Sequence, residues 1–377
     1  MDVHSFGVEP ITCHTWNKDR TEVALCPNNA DVQLYKREAG GGWSPGQTLS
    51  RHDLRVTSID WAPRSNRIVT CSADRNAYVW TLGSEEPGTN ATVWTPTLVL
   101  LRINRAATCV RWSPLENKFA VGSGAKLVSV CYFEKDHNWW VSKHIKKPIK
   151  STVTSVDWHP NNCLLACGST DFRTRVFSAY IKEVDTAPEP TPWNDKTTSF
   201  GSLVAELSAS GIGWVHSVCF SGDGTRLAWV GHDSSVCVAD AQRGQAITCV
   251  RTPYLPFLSC LWISPTRLLV AGYDCYPMVY EYSNGQLSFV DKLDKSQRKE
   301  VIGVVAMRKF LNMDKHAMES RGDTLLDTAH QNAITLVTLV QGERDNASRV
   351  CTQGMDGRLI LWDLKTLQSS MAGMRIV

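Results

Sequence analysis

An all-β fold, a seven-bladed β-propeller, is predicted by three observations. A unit of three strands and two turns recurs, its copies starting at Ile11, Val56, Ala107, Val153, Val215, Leu258 and Ile334. Five residues after each start stands a large apolar side chain: Trp16, Trp61, Trp112, Trp158, Phe220, Ile263 and Leu339. An acid or amide recurs at the second turn, as Asn29, Asp74, Asp171 and Asp233, with Asp274 and Asp356 slightly displaced and Ala125 breaking the series. A lone meander cannot bury its own faces, whereas copies stacked in a closed ring can. A period of roughly 40–45 residues with Trp-Asp at the end of the third strand marks a propeller of four-stranded blades, and Trp362-Asp363 supplies that pair literally.

Residues 56–80 show the unit most clearly. Val56, Ile59 and Trp61 belong to a first strand that the Ala-Pro-Arg-Ser-Asn run at 62–66 ends. Residues 67–71 are mostly β-branched and apolar, as a strand requires. The polar run 72–76 turns the chain again, because short polar side chains satisfy backbone groups locally, and 77–80 closes the unit on Trp80. Residues 153–177 copy this almost position for position and 107–133 follow closely.

The formal charge of +3 is too small to point to nucleic acid or to a membrane surface. No apolar run approaches the length of a membrane span, and the first ten residues lack the apolar stretch of a signal peptide. The 13 cysteines are scattered and mostly fall inside strand patterns, which predicts unpaired, buried thiols.

Taken in order, Val3, Phe6 and Val8 are placed to supply the outer strand of the last blade and so close the ring. His52, Asp74 and Trp80 have the order and types of a His–Asp–Trp network that pins a blade, and His330, Asp356 and Trp362 repeat it; both sets read as structural. Basic residues collect at one blade rim: Arg102 and Arg105 before the third unit, and Lys143, Lys146 and Lys147 after it. A protein-binding rim and an ordinary solvated surface both fit them, and nucleic acid is disfavoured because no RNA-binding signature accompanies them.

The unit starts are spaced by 45, 51, 46, 62, 43 and 76 residues. A Pro-rich loop at 187–193 accounts for the 62. The 76 leaves an insertion at 293–324, between blades 6 and 7, far longer than an ordinary connection. Val304, Met307 and Leu311 fall at helical spacing there, with Ala306, Phe310 and Met313 as an adjacent stripe, so a partly helical insertion is expected. Its apolar face either packs on its own blades or serves as Met307, Phe310, Leu311 and Met313 anchors for a partner's groove.

No phosphate loop, metal-ligand spacing or nucleophile motif is present. A non-enzymatic protein without cofactor or metal is therefore expected, although carboxylates meeting in a central channel would favour an enzyme. Several strings go beyond the generic repeat: LRINRAATCVRWSPLENKFAVGSGAKL at 101–127, NWWVSKHIKKPIKSTV at 138–153, FSAYIKEVD at 177–185 and AMRKFLNMDK at 306–315. On these the whole chain resembles the family of WD-repeat subunits, subunit 1, of the actin-related protein 2/3 complex. That resemblance implies a non-catalytic, cytoplasmic scaffold of the actin cytoskeleton; the alternative is a WD-repeat adaptor of another cytosolic assembly, which would have no reason to carry AMRKFLNMDK. The partners that the resemblance implies are the other subunits, the mother actin filament and a nucleation-promoting activator, the last two reached through the insertion. Three segments, 39–43, 87–94 and 345–349, depart from the family's pattern.

Overall fold

The computed structural model describes residues 1–84, 92–196, 198–208, 213–294 and 326–364. Among these residues the chain forms 28 strands in seven four-stranded antiparallel sheets, and the one helical element is a 3-10 turn at Ala241–Arg243. The fold is an all-β, seven-bladed β-propeller. In blade 1, β2 (Cys13–Trp16), β3 (Glu22–Cys26), β4 (Asp31–Arg37) and β5 (Trp43–Ser50) run outward in chain order. The innermost strands of blades 2 to 7 are β6 (Val56–Ala62), β10 (Ala107–Trp112), β14 (Val153–Trp158), β18 (Val215–Phe220), β22 (Phe257–Trp262) and β26 (Ile334–Glu343). The core of the predicted insertion at 293–324 lies outside the described residues.

Blade faces pack on one another, so the second strands are apolar on both sides and read as continuous runs, as in Leu164–Ser169. The junction of blades 1 and 2 buries Leu34, Leu49, Trp61, Trp80 and Trp94 together. Each such side chain contributes about 1.5–3 kcal/mol by leaving water. Glycine is required where blades approach closest. A Cβ on Gly168 would stand 2.5 Å from Val215 Cγ1, and one on Gly122 would stand 2.7 Å from Val153 Cγ1.

The repeat count slips by one residue in blade 6. Its inner strand starts at Phe257, with the same bulge after the first residue that blades 2 to 5 show. Trp262, fully buried, therefore takes the place that counting from Leu258 gives to Ile263. Its indole donates to Cys219 O of blade 5 at 3.1 Å, just as Trp158 donates to Arg111 O of blade 3. In blade 7 a further register shift after Leu339 buries Val340 instead of Leu339.

The ring closes through its first strand. β1 (Asp2–Ser5) pairs with β28 (Arg358–Asp363) and forms the outer strand of the last blade, whose other members are β26 and β27 (Asn346–Gly354). Phe6 then packs on blade 1, edge-on to Tyr35 at 4.8 Å and against Trp43 at 5.6 Å. Deleting residues 2–6 should expose the edge of β28 and uncover Tyr35 and Trp43. A lower melting temperature with increased light scattering is expected; an unchanged melt would refute this role.

The expectation that all thirteen cysteines are thiols is overturned at one pair. Cys237 on β20 (Ser235–Asp240) stands opposite Cys249 on β21 (Ala246–Arg251), with Cα atoms 4.1 Å apart, and the two form a disulfide. The close cross-strand pair of an antiparallel ladder brings the two Cβ atoms together, a register that the scattered spacing does not reveal. The other eleven are free, ten of them buried. Thiol titration of the denatured chain should find eleven groups before reduction and 13 after; 13 before reduction would refute the bond.

Candidate functional site

An inner strand has a partner strand on one side only, and side chains of the adjoining blade satisfy part of its other edge. Thr57, Thr108 and Thr154 donate their hydroxyls to the carbonyls of Ala107, Val153 and Val215, each opening the next blade. Backbone N–H groups are met in the same way: Trp61 by Thr15, Trp112 by Asp60, Phe220 by Asp157, Cys260 by Ser217 and Val337 by Ser259. The last junction uses other residues. His14 donates through Nδ1 to Gln353 Oε1 at 2.7 Å and accepts from Thr338 at 3.0 Å, while Arg20 Nε donates to Val340 O at 2.6 Å. Burial pulls the His14 pKa down to about 4, so the ring stays neutral and keeps one acceptor nitrogen.

The side chains around the channel enclose about 200 Å³. The charges that line it are engaged. Arg344, on the turn between β26 and β27, crosses to blade 4 and forks onto both Asp157 oxygens at 2.6 and 2.8 Å. It also donates to Phe220 O, while Asp345 accepts from Gly222 N at 3.1 Å, so this hairpin ties blade 7 to blades 4 and 5. Burial alone would lower the Arg344 pKa, but the Asp157 carboxylate drives it up. Asp60 is raised by burial, against the pull of Arg111 and the Trp112 N–H. His216, at 3.0 Å from His232, is held at about 4 by burial and by that neighbour.

The six residues named as pinning networks form two relays. Trp80 Nε1 donates to Thr70 Oγ1 at 3.0 Å, the Thr70 hydroxyl lies 2.8 Å from His52 Nε2, and His52 Nδ1 donates to Asp74 at 2.7 Å. Trp362, Thr352, His330 and Asp356 repeat this with distances of 2.8, 2.7 and 3.1 Å. Since a carboxylate only accepts, Nδ1 carries the proton in both rings. The threonines escaped the sequence reading, although each stands four residues before its aspartate. Each aspartate also accepts a backbone N–H from the loop entering its blade: Asp74 from Asp53 and Asp356 from Gln331. Asp171 and Asp274 do the same for Lys150 and Leu255.

The rim bases do not form a single cluster. Arg102, Lys146 and Lys147, joined by Lys126, line an open groove of about 580 Å³ over blade 3, between the loop that enters it and the link that leaves it. Arg102 reaches the carbonyl of Ser142, and Arg105 is exposed beside the groove. Lys143 is set apart on an outer strand, paired with Glu183 at 3.3 Å and lying over the Tyr132 ring. The groove occupies the face made by the loops entering each blade and the turns between second and third strands. Exposed Leu54, Leu100, Phe172, Trp214, Leu255 and Met355 lie on that face. The insertion leaves and re-enters there, its ends joined by the Ala329 N–H donating to Asp294 at 2.7 Å. Met307, Phe310, Leu311 and Met313 lie outside the described residues.

Ring, relays and loop-borne surfaces together define a WD-repeat propeller, and residues 43–81 and 140–178 match the family described as WD domain, G-beta repeat. Along its whole length the chain is similar to actin-related protein 2/3 complex subunit 1A-A of Xenopus laevis, with 54% identity covering 100% of both chains. It is 42% identical to subunit 1 of Schizosaccharomyces pombe, over 94% of this chain and 97% of the relative. It is also 42% identical to subunit 1B of Arabidopsis thaliana, over 98% of each. The chain belongs to the actin-related protein 2/3 complex subunit 1 family.

The relays carry a pH signature. Burial opposes ionisation of Asp74 and Asp356, but hydrogen bonds from His52 and His330 and from the backbone outweigh it and hold both carboxyls below their ordinary value. Their contribution is present above the unfolded-state pKa of about 3.9 and is lost as pH falls through the lower folded value. Melting temperature should therefore drop in acid below about pH 4, and the drop should be shallower in D74N/D356N. At neutral pH, D74A should cost about 1–3 kcal/mol by leaving the His52 N–H unpaired.

Proposed function

We propose that this chain is the propeller subunit of an actin-related protein 2/3 complex, a non-catalytic scaffold in the cytoplasmic actin cytoskeleton. Its mechanism is positioning: a rigid ring holds the other subunits, and the insertion reaches the mother filament or the nucleation-promoting activator. The observation that carries the reading is 54% identity, without gaps in coverage, to a relative named as subunit 1 of that complex. The surface chemistry supports it. The apolar side chains, the Arg102–Lys147 groove and both ends of the insertion share one face. Protein partners fit this mixture better than nucleic acid does, because the basic groove lacks exposed aromatics in series.

Within the insertion, Met307, Phe310, Leu311 and Met313 are proposed as anchors. Of the rim residues, Arg105, Lys146 and Lys147 are the best candidates for partner contact, since all three are exposed, whereas Arg102 and Lys143 are engaged within the chain.

Phe310→Ala with Leu311→Ala should leave the melting temperature unchanged. It should weaken filament or activator engagement by about 2–4 kcal/mol, as truncated anchors do, which is about 30- to 1,000-fold. Co-sedimentation of the assembled complex with actin filaments, with and without activator, measures this beside a melting curve. A large fall in melting temperature with normal engagement would refute the anchor role. Failure of the wild-type chain to assemble with the other subunits would refute the scaffold reading itself.

A further inference from the structure

Each blade ends in an outer strand whose free edge is a row of backbone donors and acceptors, and such an edge invites pairing with another chain. Six of the seven outer strands carry a feature that discourages it. β5 holds Pro45, and β9 (Thr92–Val99) holds Pro96 and has the Trp94 backbone met by the Gln47 side chain at 2.9 and 3.3 Å. β13 (Trp139–Ile145), β17 (Leu203–Leu207) and β25 (Gln286–Lys292) carry Lys143, Glu206 and Asp291, and β1 is only four residues long. β21, with the sequence AITCVR, has no proline and no charge before its last residue. Its pairing with β20 is regular throughout, and Ile247, Cys249 and Arg251 are exposed.

The register decides which backbone groups face outward. Cys237 and Cys249 stand opposite each other with Cα atoms 4.1 Å apart, the close, non-hydrogen-bonded kind of pair. Consistently, the Thr252 N–H donates to Ser234 O, so Ala246, Thr248 and Val250 turn their backbone toward β20. Ile247, Cys249 and Arg251 turn theirs to the free edge, where these groups make no hydrogen bond among the described residues. The disulfide staples the strand to β20, so the edge is held ready and little ordering is needed to pair with it. Exposed Arg243, on the turn before β21, and Arg251 at its end make no side-chain hydrogen bond or ion pair among the described residues. A cation thus stands at each end of an uncharged ladder. A second copy of this chain would bring like charges along the pairing, whereas a strand with acidic ends brings opposite ones.

We propose that the free edge of β21 docks an extended segment of a partner subunit, which adds to blade 5 as a fifth strand. Backbone hydrogen bonds to Ile247, Cys249 and Arg251 hold it, an apolar or β-branched side chain lies beside Ile247, and a carboxylate stands near each end. This gives the scaffold a specific contact surface, and it rests on the scaffold reading for the source of the added strand.

The docking is tested on the full chain with a labelled synthetic peptide, Glu-Val-Thr-Val-Thr-Val-Glu, by fluorescence anisotropy at pH 7.5. Saturable binding is expected, weakened at least tenfold in Ile247→Pro and also when lysine replaces both glutamates of the peptide. The proline removes an outward N–H, so the ligand-free melt should stay unchanged, as it would not in Thr248→Pro, whose N–H faces β20. Ile247→Lys keeps the backbone donor, adds a charge to the edge, and should weaken binding as well. Absence of saturable binding, or equal affinity in Ile247→Pro and Ile247→Lys, would overturn the docking site. Hydrogen exchange tests the source: the Ile247, Cys249 and Arg251 amides should exchange at least tenfold more slowly in the assembled complex than in the free chain. Unchanged exchange there, or dimerisation of the free chain that Ile247→Pro abolishes, would overturn the assignment to a partner subunit. Failure of the wild-type chain to assemble would refute the scaffold reading and the source with it, while the peptide titration still decides the docking site.

Discussion

The open edge of each inner strand is the constraint on which the rest of this propeller depends. Backbone donors and acceptors on that edge have no fifth strand to meet, and leaving one buried and unpaired costs about as much as a lost hydrogen bond. Short polar side chains of the adjoining blade answer it: Thr57, Thr108 and Thr154 for carbonyls, and Asp60, Asp157, Ser217 and Ser259 for N–H groups. Each of these residues must sit on the channel side of its own strand and also reach the next blade. That double duty fixes the angle between blades, and the apolar interfaces fill in behind it. The seam between blades 7 and 1 joins two copies that were never consecutive in the chain, and it departs from this scheme. There His14, Gln353 and Arg20 do what threonine and aspartate do elsewhere.

Whatever repeats was legible in the sequence. The large apolar residue five positions into each unit and the His, Asp and Trp of two units are periodic signals, because every blade meets the same packing problem. Thr70 and Thr352 were equally periodic, but a threonine inside a strand looks like any β-branched strand residue until its hydroxyl is seen between Trp and His. The bulge at the head of each inner strand hid the true start of blade 6, since Phe257 and Leu258 are both apolar and the count works from either. Contacts that occur once left no trace. Arg344 and Asp157 are 187 residues apart, and the Cys237–Cys249 pair depends on the register that the tight turn after β20 imposes. The basic rim was read as one patch because its members are close in sequence. Lys143, however, lies on an outer strand that ends at Ile145, whereas Lys146 lies in the link beyond it, and Lys143 turns toward Glu183 instead.

The two faces of the ring are built for different work. On one, loops carry the sequence between blades, and lengthening such a loop adds little closure entropy. The 293–324 insertion exploits this, with Asp294 and Ala329 holding its ends together so that β26 still enters the ring in register. The other face is bound down. There Arg344 and Asp345 lash the β26–β27 hairpin across the channel to blades 4 and 5. A ring braced on one side can present long, variable loops on the other without losing its shape, which is what a scaffold requires.

The same bracing bears on chemistry in the channel. A general base needs an unengaged carboxylate or imidazole, yet Asp157 is saturated by Arg344 and the Phe220 N–H, and Asp60 accepts from Trp112 beside Arg111. A nucleophilic thiol needs a low pKa together with access. Burial raises Cys109 to about 11 and Cys131 to about 12. Cys26 alone is drawn down, to about 6, by the Cys13 thiol opposite it, but Cys26 is fully buried and beyond the reach of a substrate. The charged groups Asp60, Asp157 and Arg344 that line the channel are here engaged in joining one blade to the next.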